Sequence, residues 1–215
     1  AGDAVQEEHG QQPGFRRLLA VFLLNGIASA IPATLVLFFV QDRLVAPVAM
    51  QPLFLGVYFL CAVLAIPAWL RLVARIGLAR TWRAGMLVAI AAFAVAGLLG
   101  EGDALWFLLV CAVSGAALGT DLALPGALLA GEIAAAGERG RSEGAWFGWW
   151  NFATKLNLAL AAGVALPLLA LAGYVPGSRD PDALQALAFA YCLLPCALKL
   201  AAAVLLHATL IRETP

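Results

Sequence analysis

The segment Glu143–Gly163 reads EGAWFGWWNFATKLNLALAAG, aromatic and apolar almost throughout, yet with Asn151, Lys155 and Asn157 set among its hydrophobic residues. Continued through the apolar residues up to Tyr174, it gives a candidate helix from Ala145 to Tyr174. That exceeds the roughly 20 residues needed to cross bilayer hydrocarbon. Lys155 stands about ten residues, or about 15 Å, into the helix, too deep for its ammonium to snorkel easily to the interface. A charge at that depth is normally turned toward a water-filled cavity, paired, or neutralised by a shifted pKa. The fold must therefore give Lys155 an environment other than lipid.

The rest of the chain has the same character. Of its 215 residues, 63% are hydrophobic and 12% are charged, against roughly 25% charged in a soluble domain. A globular domain of this size leaves too much surface exposed to hide so many apolar side chains, so the expected solvent is the lipid bilayer. Basic and acidic residues balance at 13 each, which implies no general attraction to nucleic acid. Cys61, Cys111, Cys192 and Cys196 all lie in apolar runs, and the last two are spaced C-x3-C. That pattern lacks the second pair of ligands a zinc site needs, so no metal is expected and the cysteines read as buried thiols.

Six spans follow from hydropathy: Leu18 to Val40, Pro52 to Val73, Gly85 to Leu99 (short unless it extends back toward Arg83), Leu105 to Leu129, Ala145 to Tyr174 and Leu184 to Leu210. The expected fold class is an all-α membrane protein with six transmembrane helices. Residues 1–15 read as a flexible cytoplasmic linker cut from something longer, and 16–215 as the bundle. The arginines support the count. Arg16, Arg17, Arg71, Arg75, Arg80, Arg83, Arg139, Arg141 and Arg212 all fall on one side, while the other side holds Arg43 and Arg179 among Asp42, Glu101, Asp103, Asp180 and Asp182. Basic residues mark the cytoplasmic side, so both termini are expected there, in a multi-pass protein of a plasma membrane.

Within the spans, Asp121, Lys155 and Lys199 are ionisable, and each costs several kcal/mol if left in lipid (about 2.5–3.5 on insertion scales). Asn151, four residues before Lys155, shares its face; Asn157 is offset. Lys155 then either faces a central aqueous cavity or makes a structural ion pair with Asp121. Asp121 could also change protonation or hold two helices together, Lys199 has a stem long enough to pack structurally, and Asn25 could line a path. Gly115, Gly119 and Gly126, with Ala112, Ala116 and Ala123, give the fourth span a small-residue face suited to close helix packing. Trp146, Trp149 and Trp150 read as interface anchors. The loop GEIAAAGERGRSEG brings together Glu132, Glu138, Arg139, Arg141 and Glu143, and Arg75 stands in the other basic loop. Ion pairs there could bias a moving bundle between two states.

The run DLALPGALLAGEIAAAGERGRSEGAWFGWWNFATKLNLALAAGVALPLLALAGY resembles the tenth and eleventh helices of the glycoside–pentoside–hexuronide:cation symporters, the melibiose-carrier-like branch of the major facilitator superfamily. Gly140, Arg141, Glu143, Gly144, Phe147, Phe152 and Lys155 carry the resemblance, with Gly173 and Tyr174 at its close. It extends over nearly the whole chain and is strongest from Asp121 to Tyr174. It implies the carboxyl-terminal half of a twelve-helix secondary transporter in a bacterial inner membrane, with Lys155 at the central cavity. The implied partners are an amino-terminal six-helix half, a sugar or related small solute, and a sodium ion or proton as coupling cation, with no other cofactor. Glu132 stands where the family often has an aspartate.

A non-transporting six-helix scaffold, or a protein that dimerises into a pore, is the alternative; Lys155 and Asp121 would then be structural. Catalysis is not expected, because neither His9 nor His207 has an evident orienting partner in the sequence and there is no nucleotide-binding loop or metal-ligand cluster.

Overall fold

A computed structural model describes residues 13–138, 140 and 143–211. The described chain is helical, with six helices long and apolar enough to cross a membrane: α1 (Pro13–Arg43), α2 (Val48–Ile76), α3 (Leu78–Ala96), α4 (Ala104–Ala135), α5 (Glu143–Leu171) and α6 (Pro181–Ile211). These are the six expected spans, arranged as one half of a major-facilitator-type fold, and they make the chain a multi-pass integral membrane protein.

The boundaries differ from the hydropathy estimate for local reasons. The first helix begins at Pro13, a residue suited to a helix's first turn. Phe15, assigned from sequence to the linker, is buried there; residues 1–12 lie outside the described part. The third helix reaches back to Leu78 and takes in Arg80 and Arg83, because arginine is a good helix former whose long stem lies along apolar surface. The fifth stops at Leu171, since Gly173 has φ 79°. There Tyr174 N donates to Leu169 O at 3.0 Å and Gly173 N to Ala170 O at 3.1 Å, the paired bonds of a Schellman cap.

Pro32, Pro67, Pro125, Pro167 and Pro195 sit in the spans away from their first residues. Pro195 follows a wide π-helical turn, Phe189–Leu193, which absorbs the missing donor by a local change of pitch. Hydroxyls bond back to their own helices, as in Ser114 Oγ to Val110 O at 2.7 Å and Thr34 Oγ1 to Ala30 O at 2.9 Å. In lipid no water is available for such groups.

Helix α4 packs along both α2 and α3, α3 along α6, and α1 along α6 and α5. The small-residue face of α4 lies against the backbone of α2. A Cβ built on Gly115 would lie 2.1 Å from the carbonyl oxygen of Tyr58, and one on Gly119 2.9 Å from that of Ala62. Gly126, on the same expected face, has open space around it. The core forms two clusters. One lies at the acidic end, around Phe39, Phe107 and Tyr191; the other lies at the arginine-rich end, around Phe15, Trp82 and Trp146. Helices α2 and α5 stay on the outside: 11% and 22% of their apolar spans are buried, against 50% for α4.

At the acidic end, Asp42 ties the end of α1 to the α5–α6 loop. Its buried carboxylate accepts from the Tyr174 hydroxyl and from Gly177 N at 2.9 Å, while Arg179 Nη1 donates to its backbone carbonyl at 3.1 Å. Burial and the Asp42 carboxylate push the Tyr174 phenol well above its ordinary pKa, so it remains a donor at neutral pH. Tyr174→Phe is expected to cost about 1 kcal/mol, read as a lower melting temperature of the purified protein, and an unchanged melting temperature would show that the latch contributes nothing.

Candidate functional site

Between the two core clusters lies a polar layer, near the midpoints of α1, α4 and α6. Asn25 and Ser29, four residues apart on α1, share one face. Asp121 comes from α4, Lys199 from α6 and Trp82 from α3. The Lys199 ammonium donates to Asn25 Oδ1 at 2.7 Å, Ser29 Oγ at 3.0 Å and Asp121 Oδ2 at 3.0 Å, using all three of its protons. Asp121 Oδ1 accepts from Asn25 Nδ2 at 2.9 Å and Trp82 Nε1 at 2.8 Å, and Oδ2 also from Ser29 Oγ at 3.3 Å. The Asn25 amide thus presents its oxygen to the cation and its nitrogen to the carboxylate. Lys199 is 3% exposed and Asp121 14%, a pairing that lets two charges stay inside an apolar bundle.

The remaining exposure of Asp121 opens into a cleft of about 230 Å³ between α1 and α2. Its walls are mainly apolar and include Tyr58, Phe59, Phe93 and Tyr191, and Asp121, Lys199, Ser29 and Ser114 are among the polar residues that line it.

The four residues expected at a cavity therefore divide. Asp121 lines the cleft, and Asn25 is buried beside it in the polar layer. Asn151 and Lys155 lie on α5, exposed on a face that no other described helix covers. Nothing among the described residues bonds to Lys155. The ion pair considered between Lys155 and Asp121 is not formed; Lys199 takes that place, because α6 packs against α1 at the level of Asp121. Asn157 points the opposite way from Lys155, buried against α1 where Gly26 leaves room: a Cβ there would lie 1.9 Å from Asn157 Nδ2.

The tryptophans, expected at the bilayer interface, in part join α5 to α1. Trp146 is buried edge-on to Phe15 at 4.9 Å between ring centres, and Trp150 stacks on Phe22 at 3.8 Å. Edge-on and stacked aromatic pairs of this kind add about 0.5–1.5 kcal/mol beyond area burial.

Of the loop charges, Glu132 fills the space beside Gly14 at the start of α1, where a helix N-terminus favours a carboxylate. With Arg80 it also lines a second hollow at the arginine-rich end. Glu143, the first residue of α5, accepts at Oε1 from Gly140 N at 3.0 Å. Glu138 follows α4, and Arg75 is exposed in the last turn of α2. Arg139 and Arg141 lie outside the described residues. The four cysteines are free thiols, and among the described residues no three of His, Cys, Asp and Glu gather as metal ligands.

Ser29 and Trp82 were not legible as site residues. The only trace of Ser29 is its spacing from Asn25, and a buried tryptophan gives no sign of where its N–H points. Lys199 stands out in sequence as a buried charge, but its partner does not.

The sequence pattern of one family, described as MFS/sugar transport protein, matches residues 6–213. No curated protein matches the chain.

Proposed function

Because the chain belongs to the MFS/sugar transport protein family, we propose that it forms the carboxyl-terminal half of a secondary transporter that moves a sugar or related small solute, coupled to sodium or protons. The observation that carries this reading is Lys155: a lysine midway along a membrane helix, beside Asn151, on a face left uncovered by its own bundle. Lipid is a costly surrounding for that ammonium. A water-filled path between this bundle and an amino-terminal six-helix half gives it a polar one, and two such halves rocking about a central site is how this architecture alternates access. The apolar faces left bare on α2 and α5 are then shared between the other half and lipid.

In this reading the arginine-rich end faces the bacterial cytoplasm, with both termini there, and the charges around Glu132 and Arg75 belong to the surface that changes contacts as the halves move. Lys155→Ala in the intact protein is expected to cut uptake at least about tenfold, the loss of one hydrogen bond to a charged group, with membrane insertion unchanged. Normal uptake by that variant would remove Lys155 from the path.

A further inference from the structure

We propose that Asn25, Ser29 and Asp121 form a monovalent-cation site whose resident cation is the tethered ammonium of Lys199. Three oxygens converge on Lys199 Nζ at 2.7–3.0 Å: an amide carbonyl, a hydroxyl and a carboxylate. That donor set is all oxygen, the kind that suits hard cations. It carries a single negative charge, so one monovalent ion neutralises it. A divalent ion would leave an excess charge inside the bundle, which is expensive in lipid. The absence among the described residues of any cluster of three His, Cys, Asp or Glu points the same way.

The remaining geometry fits an ion site. Asn25 Nδ2 and Trp82 Nε1 hold Asp121 Oδ1, which fixes the carboxylate and leaves Oδ2 aimed at the cation. The cleft between α1 and α2 reaches Asp121 and Lys199, and so provides a way in for water or an ion. In the native chain the site stays closed to salt, because a covalently tethered ammonium competes at an effective concentration far above that of a free ion. The half-bundle thereby keeps its charge neutralised whatever the sodium concentration outside.

Lys199→Ala removes the tether, leaves the three oxygens in place and vacates the volume of the lysine stem for water that completes the coordination. The test is the melting temperature of the full-length protein, purified in detergent, in sodium chloride against N-methyl-D-glucamine chloride at equal ionic strength. At sodium ten times its dissociation constant, Lys199→Ala is expected to gain about 4 °C beyond any shift the native protein shows. Lys199→Ala/Asp121→Asn is expected to lose that gain. Three results overturn the proposal: no added sodium dependence in Lys199→Ala, a gain that survives Asp121→Asn, or a Lys199→Ala protein that cannot be recovered folded in either salt. The readout is stability, so each result stands independently of whether the protein transports.

Discussion

Asp121→Ala is expected to destabilise the protein by about 3–5 kcal/mol, the range for removing one partner of a buried ion pair. Four helices meet at this carboxylate, and the substitution leaves more than a missing bond. The Lys199 ammonium, 3% exposed, keeps its charge with only Asn25 and Ser29 to accept from it. Trp82 Nε1, on a fully buried ring, loses its acceptor. Sodium cannot rescue this variant, because the carboxylate that would hold the ion is gone. In Asp121→Leu/Lys199→Met both charges are replaced by apolar groups of similar bulk, which is often close to neutral for a buried pair. The double variant is therefore expected to recover most of the loss but not all, since Trp82 and Asn25 stay unsatisfied. Thermal or denaturant unfolding in detergent measures both. A single variant within about 1 kcal/mol of the native protein would mean that the polar layer does not hold the bundle together.

The six helices were legible because lipid imposes a length and an apolar composition that few other folds need, and because the arginines alternate in step with the spans. Helix ends were less so. Hydropathy ends a helix where polarity begins, yet α3 runs through Arg80 and Arg83, and α1 starts before its apolar run does. The start of α3 is set by Gly77, with φ 84°, that is, by backbone geometry.

The site was legible in part for a related reason. A charge inside a span announces itself, so Asp121, Lys155 and Lys199 stand out from the residue order alone. Which of them meet depends on helix rotation and on which helices adjoin, and one short apolar window constrains neither. Lys155 and Lys199 are equally unusual in sequence; α6 packs on α1 and α3 beside Asp121, whereas α5 touches mainly α1 and turns Lys155 outward. The same ambiguity covers the tryptophans. An aromatic near a helix end suits an interface or a core equally well, and Phe15 and Phe22, from the far end of the sequence, decide the matter.

Gly115→Ala is expected to be nearly as disruptive to the fold as a core overpacking substitution, about 1–3 kcal/mol, although it adds one methyl group. The reason is what that methyl meets. Its nearest neighbours are the carbonyl oxygen, carbonyl carbon and Cα of Tyr58, at 2.1, 2.8 and 2.9 Å. Backbone cannot turn aside as a side chain does, so α2 must move off α4. That movement also strains the bond from Trp69 Nε1 to Ala116 O, 2.7 Å long and made across the same pair of helices. It widens the wall of the cleft to which Tyr58 belongs. Gly119→Ala, 2.9 Å from the Ala62 carbonyl oxygen, is expected to cost less. Gly126→Ala serves as the control, with nothing within 4 Å of the new Cβ; there the better helix propensity of alanine, about 1 kcal/mol, favours a neutral or slightly stabilising result. Melting temperatures in the order Gly115→Ala, Gly119→Ala, Gly126→Ala, from lowest to highest, would show that α2 is held by backbone contact with α4. Equal values for all three would mean that the side chains of α2, few of which are buried, do the holding instead.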